Sequence, residues 1–268
     1  MQYIGIRGHR GSGKKSIATL LANTMDIILR TPQTYRYHER DSRAQFDDAY
    51  DEWVDCIMKN PNKIPRNLMN TNKVYIDAFG DIPRTFIQLL IDGSDECLID
   101  NSLKDNVLIN LKDFTKHNLS DLPAHTNVYT AQQLFEKQNS AISVITDDCY
   151  ITIREFILYF GREVMQRFFG QNVWIKSLKQ NTEFFENIFD DDNAYKLYYD
   201  IKTKSEVTYI KERGGYIIKI DRPENNIGGE YIDDISNDER VDYELIIDGD
   251  LKSIKERIWQ LAWSITNK

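Results

Sequence analysis

The amino-acid sequence predicts an α/β fold, a five-stranded parallel sheet with covering helices and helical insertions. Three observations predict it. Short apolar runs alternate with longer segments of helical spacing, as strand–helix–strand units require. The first apolar run, Tyr3-Ile4-Gly5-Ile6, is followed by a glycine-rich stretch and then by a helical pattern. The composition also suits a packed core, with 41% hydrophobic and 28% charged residues in 268. That length allows one domain with insertions, or two lobes.

The elements follow in chain order. Tyr3–Ile6 is the first strand. Ile17, Leu20, Leu21, Met25 and Ile28 mark one face of a helix over Lys14–Leu29. Thr31–Lys73 is polar, aromatic and locally basic (Arg36, Arg40, Arg43, with Arg30 just before it), so residues 31–73 read as an insertion, with a helix near Ala44–Met58. Val74–Phe79 is the second strand and Pro83–Ile91 a helix. Residues 92–148 mix short apolar runs with polar loops and read as an acceptor-side insertion or small lobe. Helices over Thr152–Phe168 and Asn172–Lys179 come next. Ala194–Tyr199 is the third strand. A helix over Ser205–Glu212 ends at Gly214-Gly215, where glycine accommodates the left-handed turn. Tyr216–Ile220 and Tyr243–Ile247 are the last strands. Leu251, Ile254, Ile258, Leu261 and Ile265 make one stripe on a final helix, Leu251–Ile265.

The bulk properties exclude several classes. The net charge of −8 opposes broad binding to nucleic-acid backbones, but not to a small nucleotide held in a local cationic pocket. No apolar run reaches the length of a membrane span, and the chain opens directly on a strand, so a cytoplasmic protein is expected (the host cytoplasm if viral). Cys56, Cys97 and Cys149 are scattered and read as reduced thiols. Asp190-Asp191-Asp192 reads as a solvated loop. His9, His38, His117 and His125 do not cluster, and none is assigned a catalytic role.

The most specific motif is Gly8-His9-Arg10-Gly11-Ser12-Gly13-Lys14-Lys15-Ser16, set between a strand and a helix. Glycines let backbone N–H groups turn inward around phosphate oxygens, and the helix N-terminus adds partial positive charge. Gly8, Gly11, Ser12, Gly13, Lys14, Lys15 and Ser16 are therefore expected to bind the phosphates of ATP. Lys14 reaches the terminal phosphates. Ser16 either contacts phosphate or the magnesium shell, or caps the helix. A hydroxyl two places after the lysine resembles the G-x-x-G-x-G-K-x-[ST] loop of nucleoside monophosphate kinases.

A second set of motifs extends that resemblance. Thr152-Ile153-Arg154-Glu155-Phe156 leads to Tyr159-Phe160-Gly161-Arg162-Glu163, then Arg167, Phe169-Gly170 and Val173-Trp174. This resembles the T-P-R-x-x-L-Q-x-x-G-T-E…R…G…W signature of bacteriophage-type deoxynucleoside monophosphate kinases. Asp200-Ile201-Lys202, Ser205-Glu206 and Gly214 through Pro223 resemble that family's D-V-R-F-x-N-E…G-G run. Phe79-Gly80-Asp81 with Arg84 resembles its F-A-D-P-L-K, and Asp248-Gly249 its late N-D-G turn. The segments stand in family order over about three-quarters of the chain, leaving out Thr31–Lys73 and much of Asn101–Ser140. Ile153, Leu158, Arg162 and Lys202 depart from the family's Pro, Gln, Thr and Arg.

The resemblance implies a single three-layer αβα P-loop kinase domain over residues 1–268, with a lid at 222–241. It implies phosphoryl transfer from ATP to a (deoxy)nucleoside monophosphate with magnesium. Such an acceptor is largely deprotonated at neutral pH, so positioning and charge neutralisation replace a strong base. Lys14, Arg154, Asp200 and Lys202 are the implied catalytic residues. Asp200, with Ser16, would meet the metal, Asp200 through water; a strand-end turn is the alternative for Asp200. Arg154 binds the acceptor phosphate, or else pairs with Glu155 or Asp148. Asp81, Arg84, Arg162 and Arg167 join Arg154 on the acceptor side. Arg162 and Arg167 lie five apart, so α-helical spacing separates them. Arg222 opens the lid, or a loop without catalytic duty. The expected partners are ATP and a nucleoside monophosphate, with neither nucleic acid nor membrane, and a homodimer is allowed. Two other readings stay open, a non-catalytic nucleotide-binding regulatory or assembly protein and a P-loop kinase for another small acceptor.

Overall fold

The computed structural model describes residues 1–9, 12–31, 38–59, 71–83, 87, 108–110, 150–170, 172–188, 194–222, 240–248 and 251–267. The chain divides into two compact units. Met1–Asp81 with Ile175–Lys268 forms the first, and Ile82–Trp174 the second.

The first unit is built on a five-stranded sheet. Its strands are β1 (Gln2–Gly8), β2 (Val74–Asp77), β5 (Tyr195–Tyr198), β6 (Tyr216–Asp221) and β7 (Tyr243–Ile246). They lie in the order β2-β5-β1-β6-β7, and every pairing is parallel. A parallel sheet is buried on both faces, so its strands read as continuous apolar runs. Tyr3 through Ile6 and all of β5 are buried. This is why the strands were legible without alternation. The α/β class and the five-stranded parallel sheet are as expected, and the helices are compatible with three layers.

Side-chain alternation assigns the two faces. Ile4 and Ile6 of β1, Leu197 of β5 and Ile218 and Ile220 of β6 enter one apolar cluster. The helix α1 (Lys14–Arg30) adds Ile17, Leu20, Leu21, Met25 and Ile28 to it. The helix α2 (His38–Lys59) adds Phe46, Tyr50 and Trp53, a stripe at helical spacing. In chain order α3 to α5 are Ile153–Leu158, Val173–Ile188 and Lys204–Lys211, and α6 is Leu251–Thr266. Ile254, Ile258, Leu261 and Ile265 of α6 complete the cluster. The opposite parity is aromatic. Tyr3 stacks on Tyr198 at 6.5 Å, and Tyr209 of α5 meets Tyr3 edge-on at 6.2 Å.

Several boundaries differ from expectation. Phe79, Tyr199 and Ile247 follow their strands instead of belonging to them. After β2 the Asp77 carboxylate accepts the Ala78 N–H at 2.8 Å and starts a turn. α2 begins six residues earlier than expected, at His38, because polar residues on its outer face hid the periodicity. α4 runs on to Ile188, well past Lys179. The predicted helix Pro83–Ile91 is described only at 83 and 87, both helical, and residues 81 and 82 before it are helical too.

In the second unit β3 (Leu108–Asn110) pairs antiparallel with β4 (Tyr150–Thr152), a pairing the sequence did not announce. The expected single helix Thr152–Phe168 is interrupted. α3 gives way to a π-helical segment over Tyr159–Gln166 and then to an α turn, Arg167–Phe169. Gly161 lies inside that segment, and its carbonyl accepts the Trp174 indole N–H at 3.0 Å. The remainder of 92–148, apart from Leu108–Asn110, lies outside the described residues, as does residues 223–239 of the expected lid.

Candidate functional site

β1 delivers the chain to the glycine-rich loop, and α1 leaves it. Gly13 is the N-cap residue of α1, at φ 79°, a left-handed conformation suited to glycine. Gly13 has no side chain, and no side-chain hydrogen bond caps the helix. The first turn holds no acid, only Lys14, Lys15 and Ser16. The positive end of the helix dipole and two lysines thus coincide. The N-cap position is Gly13, and Ser16 is the third residue of α1. The Lys14 ammonium folds back over the loop and donates to the Gly8 and His9 carbonyls, at 2.6 and 2.7 Å. Ser12 N–H donates to His9 O at 3.2 Å, closing a turn. The Ser12 hydroxyl is buried and meets no hydrogen-bond partner among the described residues. Gly8 is pinned from below. A Cβ there would stand 2.7 Å from the Ile220 carbonyl and 2.8 Å from Ser12 Oγ. Arg10 and Gly11 lie outside the described residues.

The second part of the site is the exit of β5. Ile201 N–H donates to Ile6 O at 3.1 Å, tying this segment to β1 two residues before Gly8. On one side of Ile201 is Asp200, buried, with both carboxylate oxygens engaged. Oδ1 accepts the Phe79 N–H at 2.7 Å and Oδ2 the Gly80 N–H at 3.0 Å. Two successive N–H groups pointing at one carboxylate form an anion nest, here filled from within the chain. The turn after β2 is also fixed by the Phe79 ring, 4.7 Å from that of Tyr198. On the other side is Lys202, whose ammonium lies 3.7 Å from Asp200 Oδ2. Asp81 follows the same turn, its N–H bonded to Ala78 O at 3.0 Å.

Two charged groups of this region were assigned no role from the sequence, Glu206 being read only as part of the D-V-R-F-x-N-E resemblance. Glu206 of α5 accepts the Lys202 and Thr203 N–H groups on one oxygen, at 2.6 and 2.9 Å, and its own N–H donates to Thr203 Oγ1. Thr203-Lys204-Ser205-Glu206 spells this capping box in the sequence, so a signal was present. Burial, then the Asp200 charge, push the Glu206 carboxyl from an ordinary 4.5 up to about 7. Lys196 is the other. It is buried within β5 and pairs with Asp77 at 2.9 Å. Nothing in sequence placed a lysine at mid-strand opposite a strand-end acid.

The other expected residues are distributed as follows. Arg222 is half-buried just beyond β6. Arg154 (half-buried in α3) and Arg167 (exposed) belong to the second unit and both have partners. Arg162 sits in the π-helical segment. The five-residue spacing argument assumed α geometry, and the π turn between Arg162 and Gln166 removes that premise. Arg84 lies outside the described residues. Among the described residues no three His, Cys, Asp or Glu side chains gather as a metal site, and no helix is long and apolar enough to cross a membrane.

No model of a known protein family matches the chain, and no curated protein is found to be similar to it.

Proposed function

We propose that the chain transfers the γ-phosphoryl group of ATP to a nucleoside or deoxynucleoside monophosphate. The observation that carries this reading is the loop between β1 and α1. There an uncapped helix N-terminus, a left-handed Gly13 and the Lys14 ammonium converge. The sheet order supports the position. The chain leaves β1 toward β2 on one side and later lays β6 and β7 on the other. β1 thus marks the switch point where open α/β sheets bind ligands at their strand C-termini.

In this reading Lys14 exchanges its two carbonyl partners for phosphate oxygens and neutralises charge as the phosphoryl group moves. Bound magnesium would supply further neutralisation. Ser16, in the first turn of α1, would meet it. Asp200 would act through water, each of its oxygens accepting one backbone N–H group and keeping a further acceptor site. Asp81 and Arg154 would serve the acceptor, whose class rests on the motif resemblance.

The test is ADP release measured across the common NMPs and dNMPs, with Lys14→Ala as control. We expect turnover with at least one monophosphate and a loss of about 10²–10³ in rate for the variant. Wild-type turnover in Lys14→Ala would overturn the assignment.

A further inference from the structure

Lys202 is held at both ends. Its N–H donates to Glu206 Oε2 at 2.6 Å, and its ammonium lies 3.7 Å from Asp200 Oδ2. Asp200 in turn clamps the Phe79 and Gly80 N–H groups. One continuous chain of contacts thus runs from the start of α5, through Lys202, to the turn after β2. It passes beside β1, because Ile201 between them donates to Ile6 O and packs on Gly5. The two partners of Lys202 differ in kind. The backbone bond to Glu206 is short and backed by the reciprocal Thr203 bond. The ammonium contact is long, its side chain 51% exposed, and its carboxylate partner is already served by two N–H groups. Such an exposed pair is weak.

We propose that Glu206 is a positioning residue for phosphoryl transfer, which fixes the Lys202 backbone so that the ammonium swings from Asp200 onto a phosphate at the loop. This rests on the phosphate-loop reading above. Lys202 carries one charge at a single point, without the fork of an arginine, so its aim depends on where its backbone is held. A purely structural Glu206 would do no more than cap α5.

The experiment follows the 13C signals of dimethylated lysines in the full chain during titration with pyrophosphate, assigned through Lys14→Arg and Lys202→Arg. We expect both signals to move in the wild type. In Glu206→Ala the Lys202 displacement should fall at least about threefold while that of Lys14 persists. Glu206→Gln keeps the capping acceptor and should restore the Lys202 displacement. Thr203→Ala removes the other half of the box and serves as the stability control, with a lower Tm and an intact Lys202 response. If Glu206→Ala fails to fold, Glu206→Asp withdraws the same oxygen by one methylene and carries the same expectation. A Lys14 signal that moves while Lys202 stays still leaves the loop reading standing and overturns the positioning role. An unchanged Lys202 response in Glu206→Ala with a lowered Tm also overturns it, and reduces Glu206 to a cap. If neither lysine moves, the loop reading fails and the positioning role with it.

Discussion

A carboxyl group half-buried beside another carboxylate holds its proton more tightly than it does in the unfolded chain, and Glu206 is in that position. Native Glu206 takes up its proton below about 7, unfolded Glu206 only near 4.5. Between those values the native state binds more protons, so this residue makes stability fall as pH rises through the window. Urea unfolding at a series of pH values should show that decline, and Glu206→Gln should flatten it. An identical slope in both proteins would mean that native Glu206 is already ionised throughout. Arg154 makes a different prediction. If it grips the acceptor phosphate, Arg154→Ala should raise the KM for the monophosphate far more than that for ATP. A selective loss of ATP affinity would put it on the donor side, and unchanged kinetics would leave it an ion-pairing residue of α3.

At the scale of elements the glycine-rich loop between β1 and α1 depends on two glycines for different reasons. Gly13 needs its left-handed φ of 79°, while a Cβ there meets nothing within 4 Å. Gly13→Ala should therefore cost only strain, roughly 1–2 kcal/mol of stability. Gly8 needs space. A Cβ there would strike the Ile220 carbonyl of β6, and a backbone atom within the sheet does not yield. Gly8→Ala should push the loop outward and lower kcat by roughly 10²-fold, since displacement of about 1 Å has that effect on a positioned reaction. Far-UV circular dichroism should stay near that of the wild type. Wild-type kcat in Gly8→Ala would show that the loop is not seated on β6 during turnover.

At the scale of the molecule, α1, α2 and α6 close one face of the sheet as a single layer. Phe46 and Trp259 rings lie 5.3 Å apart across the α2–α6 seam, with the Arg43 guanidinium 5.1 Å from the Trp259 ring. Arg43 also pairs with Glu256, and Lys255 with Asp47 at 2.9 Å. Ile258 of α6 is fully buried under this seam. Ile258→Ala should cost roughly 2–5 kcal/mol, measured as a lowered Tm, without a change in the KM for ATP. A shifted KM would mean that the last helix communicates with the loop.

The sequence by itself determined the α/β class, the five parallel strands to within two residues and the strand–loop–helix around Lys14. Those features come from local chemistry: apolar runs, glycine placement and helical spacing. The capping box at Thr203–Glu206 was equally local and could have been read. Tertiary structure alone decided the rest. The order β2-β5-β1-β6-β7 lays β5 beside β2, and only that adjacency sets Asp200 on the Phe79–Gly80 turn, 120 residues from Gly80. The same adjacency lets Lys196 reach Asp77. The π-helical segment at Tyr159–Gln166 was not legible because its residues have ordinary α-helical spacing. Long-range partners are absent from a sequence pattern, since which N–H meets which carboxylate depends on how distant strands are laid side by side.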